Sequence, residues 1–240
     1  MKISIIIPAH NEEKFLGKCL ESIFAYKTDD LFEVIVVDNA STDRTAEVAR
    51  AFPGVRVVYE PDKGLTKARE RGLLEARSEL LAYLDADTRV HRGWFEAIRR
   101  EFTERKDLVC LSGPYYYYDL HGFKKFFAAL SWRLFAPTTY FFVGYMVLGG
   151  NFVAKKDALL KMGGFDTSIA FYGEDTNIAW RLHKFGKVLF KMDFYIWTSG
   201  RRLIEEGIIR TFAVYALNYI WGVLFHKPFT RAYKDVRREQ

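Results

Sequence analysis

Three short polar clusters, each directly after an apolar run, carry the side chains best suited to chemistry. Pro8-Ala9-His10-Asn11-Glu12 follows Ile3 to Ile7, Asp38-Asn39-Ala40-Ser41 follows Glu33 to Val37, and Asp85-Ala86-Asp87 follows Leu80 to Leu84. Carboxylates gathered this way repel one another unless a cation or a ligand's donor groups compensate them, so a binding function is the economical explanation. Asp85 and Asp87, two apart where a strand ends, point the same way if the strand continues through them and so offer two hard oxygen ligands to one divalent ion. The expected guest is Mn²⁺ or Mg²⁺, which binds few protein carboxylates and completes its shell with water and substrate phosphates. The competing reading is a solvated turn after a strand. The histidines, His10, His91, His121, His183 and His226, have no metal-ligand spacing.

The elements that must position these clusters follow from the hydrophobic pattern. Runs at Ile3 to Ile7, Glu33 to Val37, Val55 to Tyr59 and Leu80 to Leu84 read as strands. Glu12 to Tyr26, Asp43 to Phe52 and Thr66 to Ala76 read as the helices between them, the second capped by Ser41 or Thr42. Four such units in under a hundred residues predict a nucleotide-binding half built on a parallel sheet, with ligands beyond the carboxyl ends of its strands. After Val109 the rhythm stops and aromatic residues take over, from Tyr115 to Tyr118 through Phe126, Phe127, Trp132 and Phe135 to Tyr140-Phe141-Phe142. This predicts an acceptor-side region, with ordinary core packing as the alternative.

Tyr140 to Ala154 is apolar but broken by glycines and too short to span a bilayer. Ile208 to Phe225 is apolar almost all round and reads as a core, interfacial or marginal spanning helix. The expected organisation is one domain over 1–240, with a nucleotide-binding half at 1–112, an acceptor and catalytic half at 113–202, and an apolar helix with a basic tail at 203–240.

Composition sets the remaining bounds. A chain of 240 residues with 50% hydrophobic content can bury one substantial core. Its net charge of +6 and pI near 9.1 permit an anionic partner. The local cluster Lys227, Arg231, Lys234, Arg237 and Arg238 is more informative than the total. Cys19 and Cys110 sit in separate apolar stretches, which suits a reducing compartment and indicates neither a zinc site nor a disulfide framework. The first residues lack a signal-peptide pattern, so the expected location is the cytoplasm, with peripheral contact to the inner membrane face as an extension.

The segments IIIPAHNEE (5–13), VVDNASTDRT (36–45), KGLTKARERGL (63–73), YLDADT (83–88), GGNFVAKKDALLKMGGFD (149–166) and GEDTNIAWRL (173–182) occur in the order found in family 2 glycosyltransferases, which the sequence resembles. The resemblance implies a GT-A fold: an α/β, Rossmann-like, mostly parallel sheet flanked by helices, with acceptor-side helices toward the C-terminus. It implies an inverting transfer from a nucleotide-sugar to an acceptor hydroxyl, on a glycan or a lipid-linked acceptor.

Residue by residue, Pro8, Ala9 and Glu12 match the loop lining the nucleoside pocket, and Asp38 matches the carboxylate that accepts from the base. An imide N–H suits that carboxylate, which favours UDP, although a guanine edge also donates. Asp87 matches the metal-binding carboxylate of the D-x-D motif, with Ala86 between it and a donor-facing Asp85. Lys63 and Arg69 match positions near the donor, with plain surface and helix-face charges as the alternative. Gly149, Gly150 and Asn151 match the stretch shaping the sugar and acceptor site, or form only a turn.

Glu174 and Asp175 match the acidic pair that opens the acceptor-side helix. Asp175 is the expected general base, with Glu174 in reserve and a helix N-terminal pair as the alternative. In the loop after the last expected strand, Arg201 or Arg202 is expected to neutralise the diphosphate, against a simple salt bridge.

Two other enzyme readings and one of another class compete with this one. A polyprenyl-phosphate transferase lying against a membrane suits the apolar segment and the basic tail. A nucleotidyltransferase would carry a glycine-rich first loop, whereas residues 8–13 contain no glycine. A non-catalytic nucleotide binder suits the charge. Nucleic acid is not an expected partner, because acidic strand ends repel phosphates unless a cation intervenes.

Overall fold

The computed structural model describes residues 1–227 and 229–230. In chain order the elements are β1 (Ile3–Ala9), α1 (Leu16–Tyr26), β2 (Leu31–Asp38), α2 (Thr45–Arg50), β3 (Val55–Tyr59), α3 (Leu65–Glu75), β4 (Leu80–Leu84), α4 (Trp94–Glu104) and β5 (Leu108–Ser112). The second half adds β6 (Tyr115–Tyr117), α5 (Gly122–Val143), β7 (Asn151–Lys155), α6 (Lys156–Lys161), α7 (Glu174–His183), β8 (Lys187–Phe190), β9 (Ile196–Thr198), α8 (Arg201–Glu205) and α9 (Ile208–Phe225). Of the basic tail, Arg231, Lys234, Arg237 and Arg238 lie outside the described residues.

Seven strands form one sheet in the order β3-β2-β1-β4-β7-β5-β8. β1 to β4 run parallel, β7 is antiparallel to both neighbours, and β5 and β8 are parallel. The continuous apolar runs follow from burial on both faces. Ile3, Ile5, Ile7, Val34, Val36, Leu80, Ala82 and Leu84 pack into a core with α1 and α4 on one side. Their alternates Ile6, Ile35, Val37, Leu81 and Tyr83 pack with Leu73, Leu159, Ile178 and Leu182 on the other, the two-residue period of a strand read directly from the chain. From β1 the chain winds outward through β2 to β3, then crosses back to place β4 on the other side of β1. The carboxyl ends of β1 and β4 therefore flank a topological switch point.

The sequence reading needs two local corrections. The first helix starts at Leu16 rather than Glu12, because Glu12 to Phe15 form a turn in which the Glu12 carbonyl accepts from Phe15 N and Leu16 N. Ser41 and Thr42 do not cap α2, which follows Arg44 without a side-chain cap. Ser41 Oγ instead accepts from Asn11 N (3.1 Å), and Thr42 N donates to Asn11 Oδ1 (2.8 Å), so both residues tie the loops after β1 and β2 together.

Candidate active site

A cavity of about 810 Å³ opens at the switch point. It is lined by Pro8, Ala9, Glu12, Asp85, Ala86 and Asp87 at the strand ends, by Lys63, Arg69, Gly149 and Gly150, and by Glu174, Asp175, Arg201 and Arg202. Two expected residues stand behind this lining. Asp38 is buried at the end of β2, where its Oδ1 accepts from Ser41 N (3.3 Å), and its neighbour Asn39 reaches the cavity instead. Asn151 is fully buried: its amide donates to Gly113 O (3.1 Å) and Phe194 O (2.8 Å), and its Oδ1 accepts from Trp94 Nε1 (3.4 Å). A side chain so committed holds β7 in place and has nothing left to offer a substrate.

The chain does not continue as a strand through Asp85 and Asp87. It turns at Asp85, whose carbonyl accepts from Thr88 N (3.1 Å) and Thr88 Oγ1 (2.8 Å), and this replaces the strand alternation expected from the sequence. The two carboxylates meet different cations. Asp87 Oδ2 lies 3.0 Å from Arg201 Nη2, while Asp85 Oδ1 lies 3.8 Å from Arg69 Nη2. Arg201 also grips Glu12 with both nitrogens (2.6 and 3.0 Å) and lies over the Phe15 ring. One guanidinium thus serves carboxylates from the ends of two strands. Burial pushes the Asp87 carboxyl above the usual aspartate range against the pull of Arg201, and the Asp85 charge adds to the push.

Arg202 is placed differently. It pairs with Glu206 (2.8 Å) and lies over the Phe171 ring at the cavity edge. Lys63 is exposed on the cavity rim.

Arg69 is the largest departure from a surface-charge reading. Only 1% exposed, it lies 2.6 Å from Glu174 Oε2 by way of Nη1 and reaches toward Asp85 by way of Nη2. A buried ion of this kind is tolerated only when paired. Burial pushes the Glu174 carboxyl up to about 8 against the pull of Arg69, and the charges of Asp175 and Asp85 add to the rise. Burial also raises the Asp175 carboxyl. Asp175 Oδ1 accepts from Thr176 N (2.8 Å) at the start of α7, and among the described residues Oδ2 makes no hydrogen bond.

Gly149 and Gly150 make this crowding possible. A Cβ on Gly149 would meet Arg69 and Glu174, and one on Gly150 would overlap the Asp85 carboxylate, so only main chain fits between the two acidic groups.

Several participants stand in the polar clusters or the aromatic run of the sequence without a role there. Tyr115 Oη accepts from Gly150 N (2.7 Å) and lines the cavity. Asn39 is a hub: its Nδ2 donates to the carbonyls of Glu60 (3.1 Å) and Asp62 (2.8 Å), and its Oδ1 accepts from Gly64 N (2.7 Å), which fixes the loop carrying Lys63. His10 Nδ1 lies 2.7 Å from the Asn39 carbonyl. Asn11 and Ala40 both take φ of 54°, a conformation few non-glycine residues adopt, in the loops at the switch point. A polar residue directly after a strand end was the one available hint to Asn39.

Among the described residues no group of three or more histidine, cysteine or acidic side chains is arranged as a metal cage. Two hard oxygen donors lining a cavity, with one guanidinium shared between Glu12 and Asp87, do fit an ion that takes most of its ligands from substrate oxygens and water.

The family model described as "Glycosyl transferase family 2" matches residues 4–162. The chain is 34% identical over 122 residues to the glycosyltransferase GlyG of Streptococcus pneumoniae, a match that covers 49% of this chain and 40% of that protein. In such matches the chain spans less than half the length of its curated relatives. Its fold is similar to that of the mannosyltransferase PcManGT from Pyrobaculum calidifontis in complex with GDP-Man and Mn²⁺, with a TM-score of 0.67 at 20% identity over 92% of this chain and 62% of that one. It is likewise similar to glucosyl-3-phosphoglycerate synthase from Mycobacterium tuberculosis in complex with Mn²⁺, UDP and phosphoglyceric acid, with a TM-score of 0.66 at 19% identity over 94% and 78% of the two chains.

Proposed function

This chain belongs to glycosyl transferase family 2, and we propose that it transfers a sugar from a UDP-sugar to an acceptor hydroxyl, on a glycan or a lipid-linked acceptor of the cell envelope, with inversion at the anomeric carbon. The observation that carries the reading is a single buried guanidinium. Arg69 joins Asp85 after β4 to Glu174 beside Asp175 at the start of α7, which gathers two acidic centres from distant parts of the chain around one cavity.

An acceptor hydroxyl is a poor nucleophile near neutral pH, so a carboxylate must take its proton as the new bond forms. Asp175 fills that role. Its Oδ2 is available, and burial lifts its basicity toward the working pH, whereas Glu174 is turned to Arg69. The acceptor oxygen bonds to the anomeric carbon, the carbon–oxygen bond to the diphosphate breaks with its electron pair leaving on the diphosphate, and the proton rests on Asp175. Entry on one face and departure from the other invert the configuration. Arg201 faces the departing group from the start of α8 and offsets its charge. Asp87 and Asp85 would hold Mn²⁺ or Mg²⁺, which when bound supplies charge neutralisation for the diphosphate.

The preference for uracil rests on the family resemblance at Asp38 alone, because that carboxylate stands behind the cavity lining and Asn39 lines the cavity in its place. GDP- and UDP-bound proteins both occur among the similar folds, so the base is a matter for measurement.

The test is a screen of UDP- and GDP-sugars with Mn²⁺, following nucleotide release with and without candidate acceptors. Release from a UDP-sugar that depends on both acceptor and metal supports the reading. Tight nucleotide binding with no turnover on any donor would make the chain a binder. Metal-independent release would remove Asp85 and Asp87 from the donor role.

A further inference from the structure

Helix α9 is built inside out. Its buried positions are Thr211, Asn218 and Gly222, a polar and small stripe on one face. Its exposed positions include Ile209, Ala213, Leu217, Ile220 and Leu224, spaced four, four, three and four residues apart along the opposite face. A helix on the surface of a protein in water shows the reverse pattern.

The buried polar groups are satisfied, since Thr211 Oγ1 donates to Gly207 O (2.9 Å) and Asn218 Nδ2 donates to Val214 O and Thr230 Oγ1 (2.9 Å each). Gly222 packs against Thr176 of α7, so α9 lies along the body of the protein.

α5 repeats the pattern. Phe123, Phe126, Leu130, Leu134, Pro137 and Phe141 recur at three- and four-residue spacing, and every one is exposed, Phe123 at 72% and Phe141 at 81%. The two helices pack together through Phe127 and Trp132 against Phe212 and through Phe135 against Tyr219. Neither helix contains an aspartate or glutamate. Lys124, Lys125 and Arg133 on α5, Arg210 on α9 and Lys227 just beyond it are exposed around the apolar stripes.

Exposed apolar surface on this scale marks an interaction site. Its composition, apolar stripes edged by cations with no acidic residue, is what an anionic bilayer selects and what a polar partner protein would not. The α5 stripe borders the cavity, since Leu134 is exposed and also lines it, while Tyr215 lines it from the inner face of α9.

We propose that α5 and α9 together dock the protein on an anionic lipid bilayer, lying in the interface rather than crossing it. α9 is long and apolar enough to span by length and composition. Its inner face, however, is occupied by α5 and α7. This inference does not depend on the donor or on the base assigned above.

The test is flotation of the full chain on vesicles of phosphatidylcholine alone and of phosphatidylcholine mixed equally with phosphatidylglycerol, at low and high salt. The expected result is flotation on the anionic vesicles, reduced by salt. Phe141→Glu and Leu224→Glu should each weaken it roughly tenfold by removing apolar burial. Lys124→Glu should weaken it roughly fivefold on the anionic vesicles alone. UDP binding with Mn²⁺, measured by calorimetry on the same variants, should be unchanged, which separates a lost docking face from a lost fold.

Three outcomes overturn the proposal: a parent chain that ignores anionic vesicles; variants that float as well as the parent; or a concentration-dependent dimer in sedimentation that both glutamate variants dissolve without any flotation by the parent. Loss of UDP binding in an otherwise floating parent would count against the donor reading alone.

Discussion

The half of the chain up to β5 and the half beyond it place acidic groups around the same cavity by opposite means. In the first, Glu12, Asp85 and Asp87 stand where apolar strands stop, and the sheet's regularity aims them at the switch point. In the second, Glu174 and Asp175 open a helix whose approach is irregular, and a buried arginine from the first half fixes their position. Polar groups at strand ends come almost unavoidably with a parallel sheet, whereas the acidic pair at the start of α7 is accommodated because Gly149 and Gly150 leave room for it and Arg69 supplies countercharge.

Substitutions can break or sharpen this contrast. The largest expected effect is on the second half: Asp175→Asn should lower turnover by about 10²–10⁴-fold with nucleotide binding nearly unchanged, as read by kcat alongside calorimetry with UDP. An equal loss in both would make Asp175 a structural residue.

Arg69→Met is expected to destabilise the fold by about 3–5 kcal/mol in urea unfolding at a pH above the raised Glu174 value of about 8, where it strands the ionised, buried Glu174 carboxylate. Pairing it with Glu174→Gln should restore part of that loss. Additive losses would mean that the two halves are not joined through this contact.

On the first half, Asp87→Ala should weaken metal-dependent nucleotide binding by about 10²-fold with little change in melting temperature, since Arg201 keeps Glu12 as its partner and burial already disfavours the Asp87 charge.

The pH profile tests the base without a mutation. The Asp175 carboxyl is raised above 3.8 by burial, so its base form is lost as pH falls through that raised value. The kcat should therefore begin to drop at a pH where an ordinary aspartate is still ionised, and Asp175→Asn should flatten that limb. Linkage gives a companion expectation for Glu174. A carboxyl raised to about 8 contributes stability that is full below its unfolded value of 4.5 and is lost as pH rises through about 8. Glu174→Gln should flatten the corresponding decline in melting temperature.

The smallest effect is reserved for Tyr115→Phe, which removes one hydrogen bond to Gly150 N and should cost about 0.5–1.5 kcal/mol in unfolding.

The first-half strands were legible because short apolar runs alternate with helical patterns at a regular interval, even where the strand is a partly exposed edge, as β3 is, or lacks β-branched residues, as β4 does. Val55–Tyr59 and Leu80–Leu84 fall where the pattern puts them. Ile208–Phe225 was legible as a helix but not as an inverted one, since apolarity all round hides the direction of burial until Thr211 and Asn218 are found inside. β7 could not be read as a central antiparallel strand from Asn151 to Lys155, because its partners β4 and β5 are distant in sequence. The strand-end acids were visible one by one. What could not be seen was partnership: that Arg201 would bridge Glu12 and Asp87, or that Arg69 would be interior. Ion pairs between residues more than a hundred positions apart leave no local periodicity. Asp38 and Asn39 show the same limit at close range, as the sequence favours the charged residue while the lining belongs to its neighbour.

For the sugar donor proposed above, the cavity wall between Asp85 and Glu174 is main chain at Gly149 and Gly150, pinned from behind by the Asn151 amide. Peptide groups have no rotamers to exchange, so a donor with one substituent too many meets a ruler rather than a cushion. Discrimination among sugars at this wall is then a matter of steric refusal, and widening the repertoire would call for moving the backbone itself instead of trimming a side chain.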